Sequence, residues 1–339
     1  MPITRRILLG AAVALGLATP SVAQEVTLRL HQFLPAGANV PTNILDRWAD
    51  SVEEDSGGRI AVERFPAMQL GGTPPELYDQ AVDGVADVIW TVAGYTPGRF
   101  PTAEVFELPF ISPDAEATSR AYWRLAEERM LDGEFSDTHV LGTWVHGPGL
   151  IHSDTPVENV DDLSGLKLRA PTRTINMLLS KLGATPIGMP VPAVPEALSK
   201  GVIDGAVIPW EVTGALKVPE LVQNHTEFGE DALYTTAFVF TMNRDRYDAL
   251  PDDLKKVIDD NSGLEFSGFA GRQMQEDDGP AREAAQGNNI ITLSEEQVAA
   301  WKEASQSVID DWVAEFSGDG QELLDRARAL IEEEAANVQ

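Results

Sequence analysis

The hydrophobic pattern between residues 26 and 92 predicts strands that alternate with helices. Val26–His31 alternates apolar and polar residues, which favours a half-buried strand. Ile44, Trp48 and Val52 recur every four residues, which predicts an amphipathic helix. The remaining elements predicted here are a strand at 60–65, a helix at 75–82 and a strand at 86–92. This alternation is typical of a parallel sheet covered by helices.

The same alternation restarts near residue 140 and predicts a second unit. Its predicted elements are strands at 140–145, 166–168 and 206–208 and helices at 174–182 and 195–200. Thr235–Met242 is a β-prone run, and we predict that it crosses back between the two units. Beyond Pro251 the pattern is helical to the end, with breaks predicted at Gly279-Pro280 and around Ile290–Leu293. The chain is therefore predicted to be an α/β protein with two units in series.

The first 23 residues have the pattern of a secretory signal. Arg5-Arg6 forms a positive start, Ile7–Leu17 is an apolar run, and Ser21-Val22-Ala23 supplies small residues for cleavage. The run is too short for a bilayer core of about 30 Å, so we predict a signal peptide over 1–23 that is cleaved near Ala23. The arginine pair also resembles a twin-arginine signal, and the choice between the two export routes stays open.

Composition narrows the compartment and the partners. With 339 residues, 43% of them hydrophobic, the chain is long enough for two domains with a sizeable core. It contains no Cys, which excludes a lipidated cysteine anchor, disulfides and thiolate metal sites. The formal net charge is −29, and loss of Arg5 and Arg6 makes it −31. Such a charge opposes binding to nucleic acid and to anionic lipid surfaces, so we expect neither nucleic-acid binding nor stable membrane insertion. We expect an exported, periplasmic monomer, in which an anion site needs a local, buried cation.

Sequence motifs for catalysis and for cofactors are missing. No P-loop, glycine-rich dinucleotide fingerprint or nucleophile elbow occurs in the sequence. His146 and His152 are six residues apart, which is not a helical zinc spacing. We therefore expect no enzyme activity, no cofactor and no metal. Because a catalytic triad is defined in space, a secreted hydrolase stays open as an alternative, and so does a structural or adhesion protein.

Four segments, in this order along the chain, carry a family resemblance. They are Pro66-Ala67-Met68-Gln69-Leu70-Gly71, Glu107-Leu108-Pro109-Phe110, Leu163–Pro171, and Ala197-Leu198 with Gly201 and Asp204-Gly205. Together they resemble the DctP-type family, the extracytoplasmic solute-binding proteins of tripartite ATP-independent periplasmic (TRAP) transporters. The resemblance covers essentially the whole mature chain.

The resemblance implies a two-lobed periplasmic binding protein fold. Each lobe is expected to be a mixed, mostly parallel sheet flanked by helices, and the lobes to be joined by crossing strands and a long helix. The first lobe then comprises residues 24–146 and about 235–274, and the second comprises 147–234 and about 275–339. The resemblance also implies capture of a small organic anion and its delivery to the subunits of a TRAP membrane permease, without catalysis.

Arg169 is the predicted anchor for a carboxylate. It ends a short predicted strand, where ligands of α/β proteins dock. A guanidinium pairs with a carboxylate through two parallel hydrogen bonds. The resemblance implies the same role, because the family's arginine in this segment grips the solute's carboxylate. Arg173 is the nearby competitor, and we interpret it as a surface residue.

Several positions depart from family members that bind polyhydroxylated sugar acids. The polar positions of those members align with Val92, Gly149 and Ile208, and Gly149 stands where such members carry a second arginine. Ala193 stands where the family usually has a glutamate after the pair Met189-Pro190. A sugar-acid specificity is therefore not carried over to this chain.

The pocket is instead predicted to be aromatic, because rings give large contact area and a polar tip on Trp and Tyr. The ring-bearing residues predicted to contact ligand are Trp90, Tyr95, Trp210 and Phe238. For each of them a core role is the alternative. The tryptophans within predicted helices, assigned to the core, are Trp48, Trp123, Trp301 and Trp312.

The remaining candidates are polar. His31 and Gln32 end the first strand, and with His146 they are predicted to donate hydrogen bonds to a ligand; a structural role is the alternative for His146. Glu211 has two open roles, contact with a ligand hydroxyl or ammonium, or capping of the following helix. The preferred ligand is a small monocarboxylate with an apolar or aromatic body. A betaine-like zwitterion and a hydroxy or sugar acid stay open.

Overall fold

The computed structural model describes residues 24–338, so the predicted signal peptide at 1–23 lies outside the described residues. The strands of the described part are β1 (Val26–His31), β2 (Ile60–Phe65), β3 (Val88–Val92), β4 (Thr138–Val145), β5 (Leu150–Ser153), β6 (Lys167–Ala170), β7 (Thr185–Gly188), β8 (Gly205–Ile208), β9 (Asn224–Glu227), β10 (Ala237–Asn243) and β11 (Asn289–Thr292). The helices are α1 (Asp46–Asp55), α2 (Leu77–Val82), α3 (Ala115–Arg129), α4 (Arg173–Lys181), α5 (Val194–Ser199), α6 (Val218–Leu221), α7 (Arg244–Asp248), α8 (Asp252–Asp260), α9 (Leu264–Ala284), α10 (Glu295–Glu315) and α11 (Gly320–Asn337).

The first lobe is built on a five-stranded mixed sheet. Its order is β2-β1-β3-β10-β4, with β1 parallel to β2 and β3, and with β10 antiparallel to both of its neighbours. The strand predicted at 26–31 is confirmed residue for residue, and so is the one at 60–65. Every residue of β3 and of β10 is buried, as expected for central strands covered on both faces.

The second lobe is built on a six-stranded mixed sheet. Its order is β11-β9-β5-β8-β6-β7, in which β6 is parallel to β7 and β8, β9 is parallel to β11, and β5 is antiparallel to both of its neighbours. The two-lobed α/β fold expected from the family resemblance is therefore confirmed.

The β-prone run at 235–242 crosses between the lobes as predicted. The chain leaves the second sheet after β9 and returns as β10 into the middle of the first sheet. Phe238 then lies opposite Val92 of β3 and opposite Trp144 of β4. The start of β10 and the end of β3 are thereby held side by side where the two lobes meet.

Helix α9 does not break at Gly279-Pro280, so that expectation is wrong. The helix runs without interruption through Pro280, close to its C-terminal end. A proline there removes one backbone hydrogen bond. The buried face from Ser267 to Met274, packed against α3, holds the rest of the helix in place. The break around 290–293 is confirmed, and it is the edge strand β11.

The C-terminal helices pack on different lobes. Helix α10 lies against α4 and buries Trp301 in the core of the second lobe. Helix α11 lies against α3, and Leu324 and Leu330 join the same hydrophobic cluster as Tyr122. Residues 320–337 therefore belong with the first lobe, which corrects the assignment of all of 275–339 to the second. An amphipathic pattern shows that a helix has a buried face and does not show which lobe covers it.

The four helical tryptophans assigned to the core are confirmed there. Trp48, Trp123, Trp301 and Trp312 are each at most 7% exposed. None of the helices within 24–338 is both long enough and apolar enough to cross a membrane.

Candidate functional site

A cavity lies where the two lobes face each other, and it encloses about 370 Å³ of atom-free space, part of it open to solvent. Its walls come from the segment after β1, the end of β3, the turn around Tyr95, the segment before β10, and the ends of β6 and β8. The lining residues are Phe33, Leu34, Trp90, Val92, Tyr95, His146, Arg169, Pro171, Val191, Ile208, Pro209, Glu211, Val212, Tyr234, Thr236 and Phe238. Six of the nine predicted contact residues are among them.

Arg169 lies at the end of β6 and is 2% exposed. Its Nε donates to the carbonyl oxygen of Met189 over 2.9 Å, and its Nη1 donates to that of Val207 over 3.1 Å. These two bonds fix the plane of the guanidinium and use two of its five N–H donors. No carboxylate within residues 24–338 forms an ion pair with it. Arg173, in contrast, pairs with Glu104 and Glu315. Arg169 is thus a buried, oriented cation whose remaining donors face the cavity.

Two tyrosines lie close enough to Arg169 for its charge to act on them. The hydroxyl oxygen of Tyr95 accepts a hydrogen bond from the N–H of Val191 over 2.9 Å, a bond between the lobes. Burial raises the pKa of Tyr95, and the guanidinium of Arg169 opposes that rise. Burial also raises the pKa of Tyr234, whose buried hydroxyl has no hydrogen-bond partner in the described part of the chain. Both hydroxyls therefore stay protonated beside the cation.

His146 is neutral and both of its ring nitrogens are bonded. Nδ1 donates to the carbonyl oxygen of Gly147 over 2.6 Å, which leaves Nε2 as the acceptor for the hydroxyl of Thr236 at 3.0 Å. Burial lowers the pKa of His146 to about 4. The His146 ring lines the cavity but has no N–H left to donate to a ligand. Its hydrogen bonds therefore fit a structural role.

One wall of the cavity is a stack of aromatic rings. Trp90 lies between Phe33 and Phe238, with ring centroids 4.6 Å and 5.1 Å away, and Trp144 stands behind it at 6.3 Å. The indole nitrogen of Trp90 is buried and has no partner among the described residues. Flat, rigid rings of this kind favour an apolar, planar ligand body.

Glu211 lines the cavity with a carboxyl that the described protein does not satisfy. The residue is 4% exposed, and its Oε2 is buried without a hydrogen-bond partner in residues 24–338. Burial raises the pKa of Glu211 well above its usual range, and the carboxylates of Asp278 and Asp277 raise it further. The helix that follows, α6, is preceded by Lys217 and has no side-chain cap, so the capping role is wrong.

Three predicted contacts lie outside the cavity lining. His31 bonds to the side chain of Gln80 at 2.7 Å and accepts from the N–H of Leu70 at 3.3 Å. Gln32 turns back onto the backbone of Leu34 through both side-chain polar atoms. Each of these side chains is thus engaged by its own lobe.

Trp210 also turns away from the cavity, into the second lobe. Its Nε1 donates to Glu227 over 2.8 Å, and its ring packs on His152 and His225 at 5.0 Å and 4.8 Å. The structure therefore gives no support for a ligand contact by His31, Gln32 or Trp210.

Residues 32–315 match the family described as bacterial extracellular solute-binding protein, family 7 (DctP). The chain belongs to this family. Its members are the extracytoplasmic solute receptors of TRAP transporters, so the family resemblance stated from the sequence is confirmed. They are periplasmic receptors, not enzymes, that bind small organic acids and work with a TRAP permease.

Among curated relatives, the C4-dicarboxylate-binding periplasmic protein DctP of Rhodobacter capsulatus is 27% identical over 322 residues, which is 91% of this chain and 94% of the relative. Among solved structures, a TRAP solute-binding protein from Rhodoferax ferrireducens T118, in complex with copurified benzoate, is 49% identical with a TM-score of 0.91. The match covers 92% of this chain and 99% of that one.

A second solved structure is a marine-metagenome TRAP solute-binding protein specific for aromatic acid ligands, in complex with 3-hydroxybenzoate. It is 45% identical with a TM-score of 0.89, over 92% of this chain and 99% of that one.

Within this TRAP solute-binding protein, Gly149 and Tyr234 explain one departure from sugar-acid binders. A Cβ at Gly149 would lie 2.3 Å from Cε1 of Tyr234, so the ring of Tyr234 fills the space that a side chain at 149 would need. The position of the second arginine is thereby closed, and the side chain of Tyr234 lines the cavity in its place.

Sequence reasoning missed several lining residues. Phe33 and Tyr234 lie just outside predicted strands, Thr236 lies within the predicted run 235–242, Val191 begins a short 3-10 helix, and Val212 lies in a turn. The position of Tyr234 directly before the crossing strand was the available signal, because that strand begins at the boundary between the lobes.

Proposed function

We propose that this TRAP solute-binding protein captures an aromatic monocarboxylate in the periplasm and delivers it to a TRAP permease. The observation that carries the proposal is Arg169, a buried cation that pairs with no carboxylate of residues 24–338, in the lining of a cavity walled by aromatic rings. The guanidinium receives the carboxylate, and the rings receive the body of the ligand.

The buried positive charge of Arg169 favours an anionic ligand. A buried, unpaired charge is costly, and a ligand carboxylate offsets that cost through two parallel hydrogen bonds. The mature chain has a net charge of −31 and repels anions at long range. Salt screens that repulsion over about 10 Å, so a buried local cation decides whether an anion binds. The protonated hydroxyl of Tyr234 is a further donor near the same carboxylate.

The shape and chemistry of the wall favour an aromatic body over a sugar. Phe33, Trp90 and Phe238 present ring faces, and Val92 and Ile208 occupy positions that are polar in sugar-acid binders. A polyhydroxylated ligand would leave hydroxyls without partners against these side chains, which is unfavourable. The two similar proteins with benzoate and 3-hydroxybenzoate support the same ligand class.

We further propose that the mature protein starts at Gln24, after export and cleavage near Ala23, and acts as a monomer. The supporting observations are the arginine pair, the apolar run and the small residues of the first 23 positions. Mass spectrometry of the periplasmic form and sedimentation velocity measure the two properties directly.

The decisive experiment compares Arg169→Met with Arg173→Met, using calorimetric titration of benzoate into ligand-free protein. Loss of the buried partner of a charge pair costs about 2–5 kcal/mol, so Arg169→Met is expected to weaken binding by at least about thirtyfold. Arg173 is 41% exposed but pairs with the buried Glu104 of the other lobe, so its loss removes an interlobe ion pair and not the ligand's cation, and is expected to weaken binding less than Arg169→Met does.

Arg169→Lys keeps a charge but loses the planar fork, so an intermediate affinity is expected. Thermal unfolding of each variant checks that the fold is retained. Equal benzoate affinity in wild type and Arg169→Met contradicts the role of Arg169. A wild type that binds no aromatic acid contradicts the proposed ligand class.

A further inference from the structure

Glu211 is fixed in the cavity wall by its main chain. Its N–H donates to Oδ1 of Asp278 over 2.8 Å, and its carbonyl oxygen accepts from the side chain of Asn39 over 3.0 Å. Asn39 precedes α1 in the first lobe, Asp278 belongs to α9, and Glu211 follows β8 in the second lobe. The backbone of Glu211 is therefore held from both lobes, which fixes the position of its Cβ in the cavity wall.

The surroundings of Glu211 favour an uncharged carboxyl. Its nearest ionisable neighbours are the carboxylates of Asp278 and Asp277, and no Lys, Arg or His of the described chain pairs with it. Burial also raises the pKa of Asp278, to about 8. Beside two other carboxyl groups and without a cation, the ionised form of Glu211 is less favourable than its neutral form. The neutral form has one O–H donor and one carbonyl acceptor, and Oε2 is buried without a partner among residues 24–338.

The cavity therefore has two chemically different regions, one around Arg169 and one around Glu211. The positive charge of Arg169 acts to lower the pKa values of Tyr95, Tyr234 and His146, which lie around it. The pKa of Glu211, raised by burial, is instead raised further by the carboxyl groups of Asp278 and Asp277 on α9. We expect a ligand whose carboxylate lies on Arg169 to extend along the aromatic wall with its far edge toward Glu211.

We propose that Glu211 is a specificity-determining residue whose neutral carboxyl pairs with a hydroxyl on the ligand ring, remote from the ligand's carboxylate. This inference rests on the proposed function and narrows its ligand class to hydroxy-substituted aromatic carboxylates. A ring without the hydroxyl leaves the carboxyl of Glu211 buried and unpaired. A site built to bond a hydroxyl rejects the analogue that lacks it, so we expect a preference on the order of tenfold to a hundredfold.

The test measures the affinities of benzoate, 3-hydroxybenzoate, 4-hydroxybenzoate and 3-(aminomethyl)benzoate for wild type, Glu211→Leu and Glu211→Gln. Glu220→Leu, at an exposed position of the same lobe, is the matched control. The readout is the ratio of the affinity for the better hydroxybenzoate to that for benzoate. Thermal unfolding midpoints show whether each variant is folded.

In wild type and Glu220→Leu, the ratio is expected to be about ten or more. In Glu211→Leu it is expected to fall by at least about tenfold, because leucine offers no hydrogen bond. Glu211→Gln is expected to keep most of the ratio, because the amide has a donor and an acceptor and no charge. This last result separates a neutral hydrogen-bond partner from an ionised one.

A ratio near one in wild type, or the same ratio in Glu211→Leu, overturns the inference while benzoate binding leaves the proposed function standing. Preference for the ammonium-bearing 3-(aminomethyl)benzoate, lost in Glu211→Gln, makes Glu211 an ionised counter-ion and also overturns it. Binding of none of the four acids by wild type overturns the proposed function, and the inference with it.

Discussion

Thr172 donates a hydrogen bond to Glu107 across the boundary between the lobes, with 2.6 Å between the two oxygens. Thr172 lies three residues after Arg169, and the other carboxyl oxygen of Glu107 accepts from the N–H of Ala237 at the start of β10. Burial raises the pKa of Glu107 to about 8. One buried carboxyl thus connects the segment that follows Arg169 to the crossing strand.

The bond between Thr172 and Glu107 is expected to stabilise the closed form. Thr172→Val keeps the shape and removes the hydroxyl, which leaves an oxygen of Glu107 buried without its partner. That loss costs about 1–2 kcal/mol, so ligand affinity is expected to fall roughly five- to thirtyfold. Thr172→Ser, which keeps the hydroxyl, is the control. Calorimetric titration measures the affinity, and an unchanged affinity in Thr172→Val would show that closure does not depend on this bond.

Asp278 is expected to make stability fall as the pH rises. Burial raises its pKa from 3.8 to about 8 in the folded protein. Between these values the folded state keeps a proton that the unfolded state has released, so the free energy of unfolding decreases with rising pH. From pH 6.5 to 8, wild type is expected to lose about 2 kcal/mol more than Asp278→Asn.

Urea unfolding at several pH values, all with the same benzoate concentration, measures this difference between wild type and Asp278→Asn. The window starts at pH 6.5 because burial lowers the pKa of His146 and His225 to about 4, which acts in the opposite direction at lower pH. The exposed Asp83→Asn is the control and is expected to follow wild type. Parallel curves for all three proteins would contradict the assignment to Asp278.

Gly149 is expected to tolerate no larger residue. A Cβ there would meet the ring of Tyr234 at 2.3 Å and its carbonyl oxygen at 2.7 Å, in a place where the N–H of Gly149 already bonds that carbonyl at 3.0 Å. Gly149→Ala is therefore expected to cost about 1–3 kcal/mol of stability and to weaken ligand binding by displacing Tyr234. At Gly214 a Cβ meets no atom within 4 Å, so Gly214→Ala is the matched control. Equal unfolding midpoints for the two variants would refute this account.

Most strands of the first-lobe sheet could be predicted from the sequence because they are strongly patterned and bounded by turns, although the strand predicted at 140–145 in the second unit pairs instead with β10 in the first sheet. In the second lobe β6 and β8 were predicted, but β5, β7 and β9 were not, because four-residue runs such as Thr185–Gly188, with a proline and a glycine, show no strand pattern. The alternation in Val26–His31 gave the correct bounds, and the β-prone run before Met242 gave the crossing strand. Arg169 could be singled out because the end of a parallel strand lies at a sheet edge where ligands dock, and its chemistry there suits a carboxylate.

The direction of a side chain beyond a strand end could not be predicted in the same way. His31 ends β1 and Gln32 follows it, yet both side chains are bonded within their own lobe, whereas Phe33 lines the cavity. For His31 that outcome depends on Gln80, 49 residues away along the chain. Gln32 bonds instead to the backbone of Leu34, two residues away. Likewise, the apolar face of α11 could be read from its periodicity, but only tertiary packing selects α3 as its partner.

The packing of α11 on the first lobe adds a further chain connection between the two lobes and so restricts their relative motion. The backbone passes between them at 146–149, at 228–236, within α9 and again at 316–319. These four connecting segments restrict rotation of one lobe against the other, because any rotation must bend all four segments together about one hinge axis. If the lobes open, few residues are then expected to become disordered. A ligand that binds and closes the lobes therefore loses less binding free energy to the ordering of the chain.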